Sequence, residues 1–63
     1  MRTIKFVVNN YQFGAKVKTT PTHKIIKQER IDSKHVEIYY GGLTDNEVTF
    51  VERVLAKKAQ YID

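Results

Sequence analysis

Ile4-Lys5-Phe6-Val7-Val8-Asn9-Asn10-Tyr11-Gln12-Phe13-Gly14-Ala15-Lys16-Val17 is the stretch on which the fold turns. Ile4, Phe6 and Val8 alternate with Lys5, Val7 and Asn9. Tyr11, Phe13, Ala15 and Val17 alternate with Gln12, Gly14 and Lys16. A period of two is the signature of half-buried strands. Asn9-Asn10 lies between the two runs, and asparagine tolerates the positive φ of a tight hairpin turn. With that pair as the loop, Val8 faces Tyr11, Phe6 faces Phe13 and Ile4 faces Ala15. Each pair is apolar on apolar, and a one-residue slip would mix the faces. The reading predicts a first hairpin whose second strand runs to Lys18.

Thr19-Thr20-Pro21-Thr22 ends that pattern, because proline cannot donate to a ladder. A second hairpin is expected from His23–Ile31 and His35–Tyr40, turned by Asp32-Ser33-Lys34. A two-residue loop would set Ile25 opposite Tyr40, and a three-residue loop would set Ile26 there. Gly41-Gly42 then punctuates the chain. Thr44 and Glu47 have the spacing of a capping box, and Leu43 and Val48 that of a hydrophobic staple. Asp45 and Glu47 suit the positive end of a helix dipole, and Lys57 and Lys58 the negative end. A helix is predicted from about residue 45 to about residue 61. The expected class is α+β, a four-stranded antiparallel sheet of two hairpins with one C-terminal helix packed on one face. Residues 1–63 are read as one ββββα domain.

With 63 residues, 41% hydrophobic, 29% charged and a net charge of +4, the chain has a globular composition. It is too short for a multidomain enzyme, a dinucleotide-binding unit or a closed barrel. A domain this small buries only about 60% of its unfolded surface. An efficient core or self-association must then supply stability. There is no cysteine, so disulfides and thiolate zinc sites are excluded. No stretch reads as a secretory leader, and none approaches the ~18 apolar residues of a membrane span. The expectation is a cytoplasmic protein without membrane association.

Chemistry-bearing patterns are absent. His23 and His35 are not spaced as a ligand pair, and no metal or cofactor is implied. Asp32-Ser33-Lys34-His35 holds the residue types of a triad, but consecutive turn residues do not converge as a base and a nucleophile must. Glu29 and Glu37 fall on neighbouring strands, where Lys27 or Arg30 can pair with them. Gly14, Gly41 and Gly42 form no phosphate loop. The expectation is a protein that is not an enzyme.

Two surfaces remain. On the expected helix, Val48, Val51, Leu55, Ala59 and Ile62 share an arc roughly 80° wide, which reads as the core stripe. Phe50, Val54 and Tyr61 form a second stripe, a candidate contact for a protein partner or a second copy of the chain. On the uncovered sheet face, Lys5, Lys16, Lys18 and Lys24, with Tyr39 as a stacking group, are candidates for binding nucleic acid or an acidic partner. Residues 1–30 hold seven Lys and Arg against Glu29 alone, whereas residues 31–63 hold four against six acids. Arginine, the usual reader of guanine, is sparse. The first expectation is a small regulatory or inhibitory protein that binds a protein partner stoichiometrically, with a homodimer as one form. A chain of this size suits a phage or mobile-element accessory protein. The alternative is a nucleic-acid-binding module using the basic sheet face.

Overall fold

Strand β1, Arg2–Asn9, turns Ile4, Phe6 and Val8 into the core, as the alternation requires. The computed structural model describes residues 1–63. The chain does not return from Asn9-Asn10 as a strand. It enters a π-helical turn, Gln12–Lys16, then a 3-10 turn, Val17–Thr19. This corrects the expected second strand, and the physical reason lies at the start of the segment. Asn9 Oδ1 accepts the N–H of Gln12 at 2.8 Å, and Gln12 Oε1 accepts the N–H of Asn9 at 3.2 Å. That reciprocal pair satisfies the first orphan donors of a helix, as a capping box does. Phe13 and Val17, four residues apart, then share one helical face. Val17 is buried and Phe13 packs on the core, whereas Tyr11 stays 69% exposed.

A short 3-10 turn, Thr22–Lys24, leads into β2, Ile25–Arg30. β2 pairs antiparallel with β3, His35–Leu43. The turn Asp32-Ser33-Lys34 is as expected. Asp32 Oδ1 accepts the backbone N–H groups of Lys34 and His35 at 2.7 and 2.8 Å, an arrangement that favours Asp at a turn. The pairs Arg30–Val36, Glu29–Glu37, Gln28–Ile38 and Lys27–Tyr39 give a three-residue loop. Even so, Ile25 and not Ile26 stands opposite Tyr40, because Ile26 is an extra, bulged residue. The Ile26 side chain lies over Gly41, where a Cβ would meet its carbons at 3.2 Å.

β3 does not stop at the glycines. It runs through them to Leu43, with Gly42 at φ +71° and the register against β1 shifting between Arg2 and Ile4. That shift returns Leu43 to the core face, where it is buried.

Helix α1, Asp45–Leu55, begins at the predicted cap. Thr44 Oγ1 accepts the N–H of Glu47 at 3.2 Å, and Glu47 Oε1 accepts the N–H of Thr44 at 2.9 Å. Leu43 and Val48, the staple pair, are both buried. The helix stops at Leu55, six residues before the predicted end near residue 61. Ala56 takes a left-handed conformation, φ 54° and ψ 41°, and the N–H of Lys57 bonds the carbonyl of Glu52, which closes the helix in a Schellman-like turn. Glu52 Oε2 accepts the N–H of Ala59. The chain then extends as β4, Gln60–Tyr61, beside β1.

The sheet order is β2-β3-β1-β4, antiparallel throughout, so the α+β class with four strands and one C-terminal helix holds. The fourth strand is drawn from the tail rather than from residues 11–18. α1 and the helical segment after β1 both pack on the inner face. The core joins Ile4, Phe6 and Val8 of β1, Val36, Ile38, Tyr40 and Leu43 of β3, Val48, Val51 and Leu55 of α1, and Val17. Phe6 meets Tyr40 edge to face, with ring centroids 6.2 Å apart, a favoured aromatic geometry.

Candidate functional site

The apolar side of α1 is wider than its core stripe. Val48, Val51 and Leu55 are buried, and Phe50 on the flank is 47% exposed. Beside it lies an open groove of about 410 Å³, lined by Thr19, Thr20, Pro21, Asn46, Glu47 and Phe50. One wall is the bend after the short helical segment, and the other is the first turns of α1.

Both walls are held by polar contacts. Thr20 is buried, and its Oγ1 bonds the carbonyl of Val17 and lies 2.6 Å from Tyr40 Oη. A hydroxyl has one hydrogen to donate, so the satisfied arrangement is Tyr40 donating to Thr20 and Thr20 donating to Val17. Burial pushes the Tyr40 hydroxyl pKa up, and the Thr20 contact opposes that shift. Lys24 Nζ donates to the carbonyl of Gly42 at 2.9 Å and to Glu47 Oε1 at 3.0 Å. The backbone N–H of Thr44 and then Lys24 hold the Glu47 carboxyl below its ordinary pKa. The cap of α1 and the lining of the groove therefore share one carboxylate, Glu47.

Of the contact residues expected from sequence, only Phe50 borders the groove. Val54 is half-buried against the core. Tyr61 lies beyond the helix, on β4; the residue is 51% exposed, and the Arg2 guanidinium is 5.1 Å from its ring centroid. Arg2 also reaches Asp45 at 3.4 Å, about 140° around the helix from Phe50 at 100° per residue. The three do not form one stripe.

The lysines also separate. Lys5 and Tyr39 share the outer sheet face with Lys27, Glu29 and Glu37. Lys5 pairs with Glu37 at 3.4 Å, Lys27 pairs with Glu29 at 3.5 Å, and Tyr39 Oη donates to Glu37. The Lys27 and Lys5 ammonium groups sit 5.1 and 6.0 Å from the Tyr39 ring centroid. Two lysines and two glutamates thus leave this patch without net charge. Lys16 and Lys18 lie on the helical segment that covers the opposite face. Lys24 is committed to Glu47.

Sequence reasoning missed Thr20 and Gln12 as positioning residues, and it read Glu47 as the helix cap without its ion pair to Lys24. Gln12 does two jobs, capping its own segment and donating to the carbonyl of Leu55 at 2.9 Å. The Asn9–Gln12 spacing was the signal that could have shown it. Thr20 and Tyr40 meet across 20 residues, and no local pattern marks that contact.

The fold defines a small α+β domain with a held groove on the helix side and a charge-balanced outer sheet face. Compared with protein-family models, curated proteins and solved structures, the chain matches none. No helix is long and apolar enough to cross a membrane.

Proposed function

We propose that this chain is a non-enzymatic regulatory or inhibitory protein that binds a protein partner stoichiometrically through the Phe50 groove. The observation that carries the reading is a large aromatic left half-exposed beside a groove whose walls are fixed by Thr20, Tyr40, Lys24 and Glu47. Prefixed walls lower the ordering cost of binding, and an aromatic at the centre of a contact is the usual anchor. The reading assigns no catalytic residue.

The test is capture of partners by the tagged chain from its native lysate, in nuclease-treated and untreated halves, with Phe50→Glu in parallel. The expected result is a stoichiometric protein that survives nuclease and is lost with Phe50→Glu, while the variant keeps its far-UV circular dichroism. Capture of nucleic acid alone, or a protein that Phe50→Glu retains, overturns the reading. The nucleic-acid alternative draws less support, because Lys5 and Lys24 are held by carboxylates and lysines flank the Tyr39 ring. It requires an affinity that falls steeply with salt.

A further inference from the structure

β2 is an edge strand that pairs with β3 alone. From Ile26 to Arg30 every residue is exposed. Ile31 donates its N–H to the carbonyl of His35 at 3.0 Å. Backbone groups alternate along an antiparallel strand. The odd-numbered residues of β2 therefore turn to β3, and the N–H and C=O groups of Gln28 and Arg30 face outward. No proline lies between Ile25 and Arg30. An open edge of this kind is a template for another strand.

The charge order along the edge is Lys27-Gln28-Glu29-Arg30. Lys27 and Glu29 share the outer face, and their charged ends already lie 3.5 Å apart within the chain. Suppose a second copy pairs antiparallel across a two-fold axis normal to the sheet. Residues opposite each other must then be on the same face, so only a few registers exist. Centred on Lys27, the pairing sets Lys27 against Lys27. Centred on Glu29, it sets Glu29 against Glu29. Centred on Arg30, it sets Arg30 against Arg30. Centred on Gln28, it sets Lys27 of each copy against Glu29 of the other, and the two Gln28 residues exchange both backbone hydrogen bonds. Opposite charges stabilise a directly facing pair, and like charges destabilise it.

We propose that β2 is a self-association edge, and that two copies join there in the register centred on Gln28 to make one continuous sheet. Each chain has a single β2 edge, so a two-fold contact there closes at two copies. The contact is separate from the Phe50 groove and does not depend on it.

Sedimentation across a concentration series tests the proposal on the full chain. The expected mass rises from the 7.4 kDa chain to twice that value. Gln28→Pro removes an N–H that faces away from β3, so it should preserve the fold and weaken the dimer by about tenfold or more. Glu29→Lys puts lysine against Lys27 and should weaken it similarly. The swap Lys27→Glu with Glu29→Lys should restore the dimer to within about threefold of the original. Circular dichroism checks that each variant is folded. A single-chain mass at every concentration overturns the proposal. So does a dimer that folded Gln28→Pro leaves intact, a swap that fails to restore it, or a dimer lost with Phe50→Glu instead.

Discussion

Thr44-Asp45-Asn46-Glu47 and Asn9-Asn10-Tyr11-Gln12 begin with the same spacing and close the same pair of bonds. The first opens an 11-residue helix, and the second opens a π turn and a 3-10 turn that end at Thr19. The difference lies in the residues downstream of each cap. Val48, Val51 and Leu55 recur on one helical face with no glycine between them. After Gln12 come Gly14, then Val17, Thr19 and Thr20, then Pro21. Glycine and β-branched residues weaken a helix, and proline ends it. A cap sets where a helix starts, and the apolar spacing behind it decides how far the helix runs.

The second segment is short, so its far end must be held by tertiary contacts. Thr20 is that anchor. Thr20→Val leaves the Tyr40 hydroxyl buried without a partner and should cost about 2 kcal/mol. Tyr40→Phe leaves Thr20 still donating to Val17 and should cost about 1 kcal/mol. Each kcal/mol is worth about 4–8 °C in Tm for a domain of this size. Denaturant midpoints of the two variants check the order. A loss with Thr20→Val and none with Tyr40→Phe would mean that Thr20 acts through its own turn and not through Tyr40.

A smaller effect separates the two caps directly. Gln12→Ala removes the bond to the Asn9 N–H and the bond to the Leu55 carbonyl, and about 1–2 kcal/mol should be lost. Hydrogen exchange should quicken at Asn9 while remaining slow at Thr44 and Glu47. Faster exchange at both caps would mean that the segment and α1 open as one unit.

Much of this was legible in the residues. The inward face of β1, the Asp32-Ser33-Lys34 turn, the start of α1 and its three core positions are all set by local pattern. Residues 11–18 misled because Phe13 and Val17 satisfy a period of two and a helical i,i+4 spacing equally well. Only the Asn9–Gln12 spacing breaks the tie. The end of α1 was hidden because Ala56, not glycine, takes the left-handed turn. The β2 register was hidden because the three-residue loop and the Ile26 bulge offset each other at Tyr40. At the candidate site, Phe50 was readable as spare apolar surface. The groove was not, since its wall depends on Thr20 meeting Tyr40. Of the expected lysine face, only Lys5 and Tyr39 stand together, because Lys16 and Lys18 follow the misread second strand to the opposite side and Lys24 turns to Glu47.

The least disruptive probe of the comparison is pH, because one cap carries a carboxylate and the other an amide. Glu47 sits below its ordinary pKa of 4.5, first through the Thr44 N–H and then through Lys24. The unfolded chain therefore takes up a proton before the folded chain does as pH falls. The contribution is complete above about pH 4.5 and is lost as pH falls through the folded pKa. Asp32 behaves in the same sense below its ordinary 3.8, first through the Lys34 N–H, so the experiment is best run in Asp32→Asn. In that background Tm should be level above about pH 4.5 and decline below it, and Glu47→Gln should flatten the decline. The amide resonances of Thr44 and Glu47 should move with the titration, while those of Asn9 and Gln12 stay fixed. An acid response at Asn9 would mean that the shared helix side, and not the Glu47 carboxylate, transmits the change.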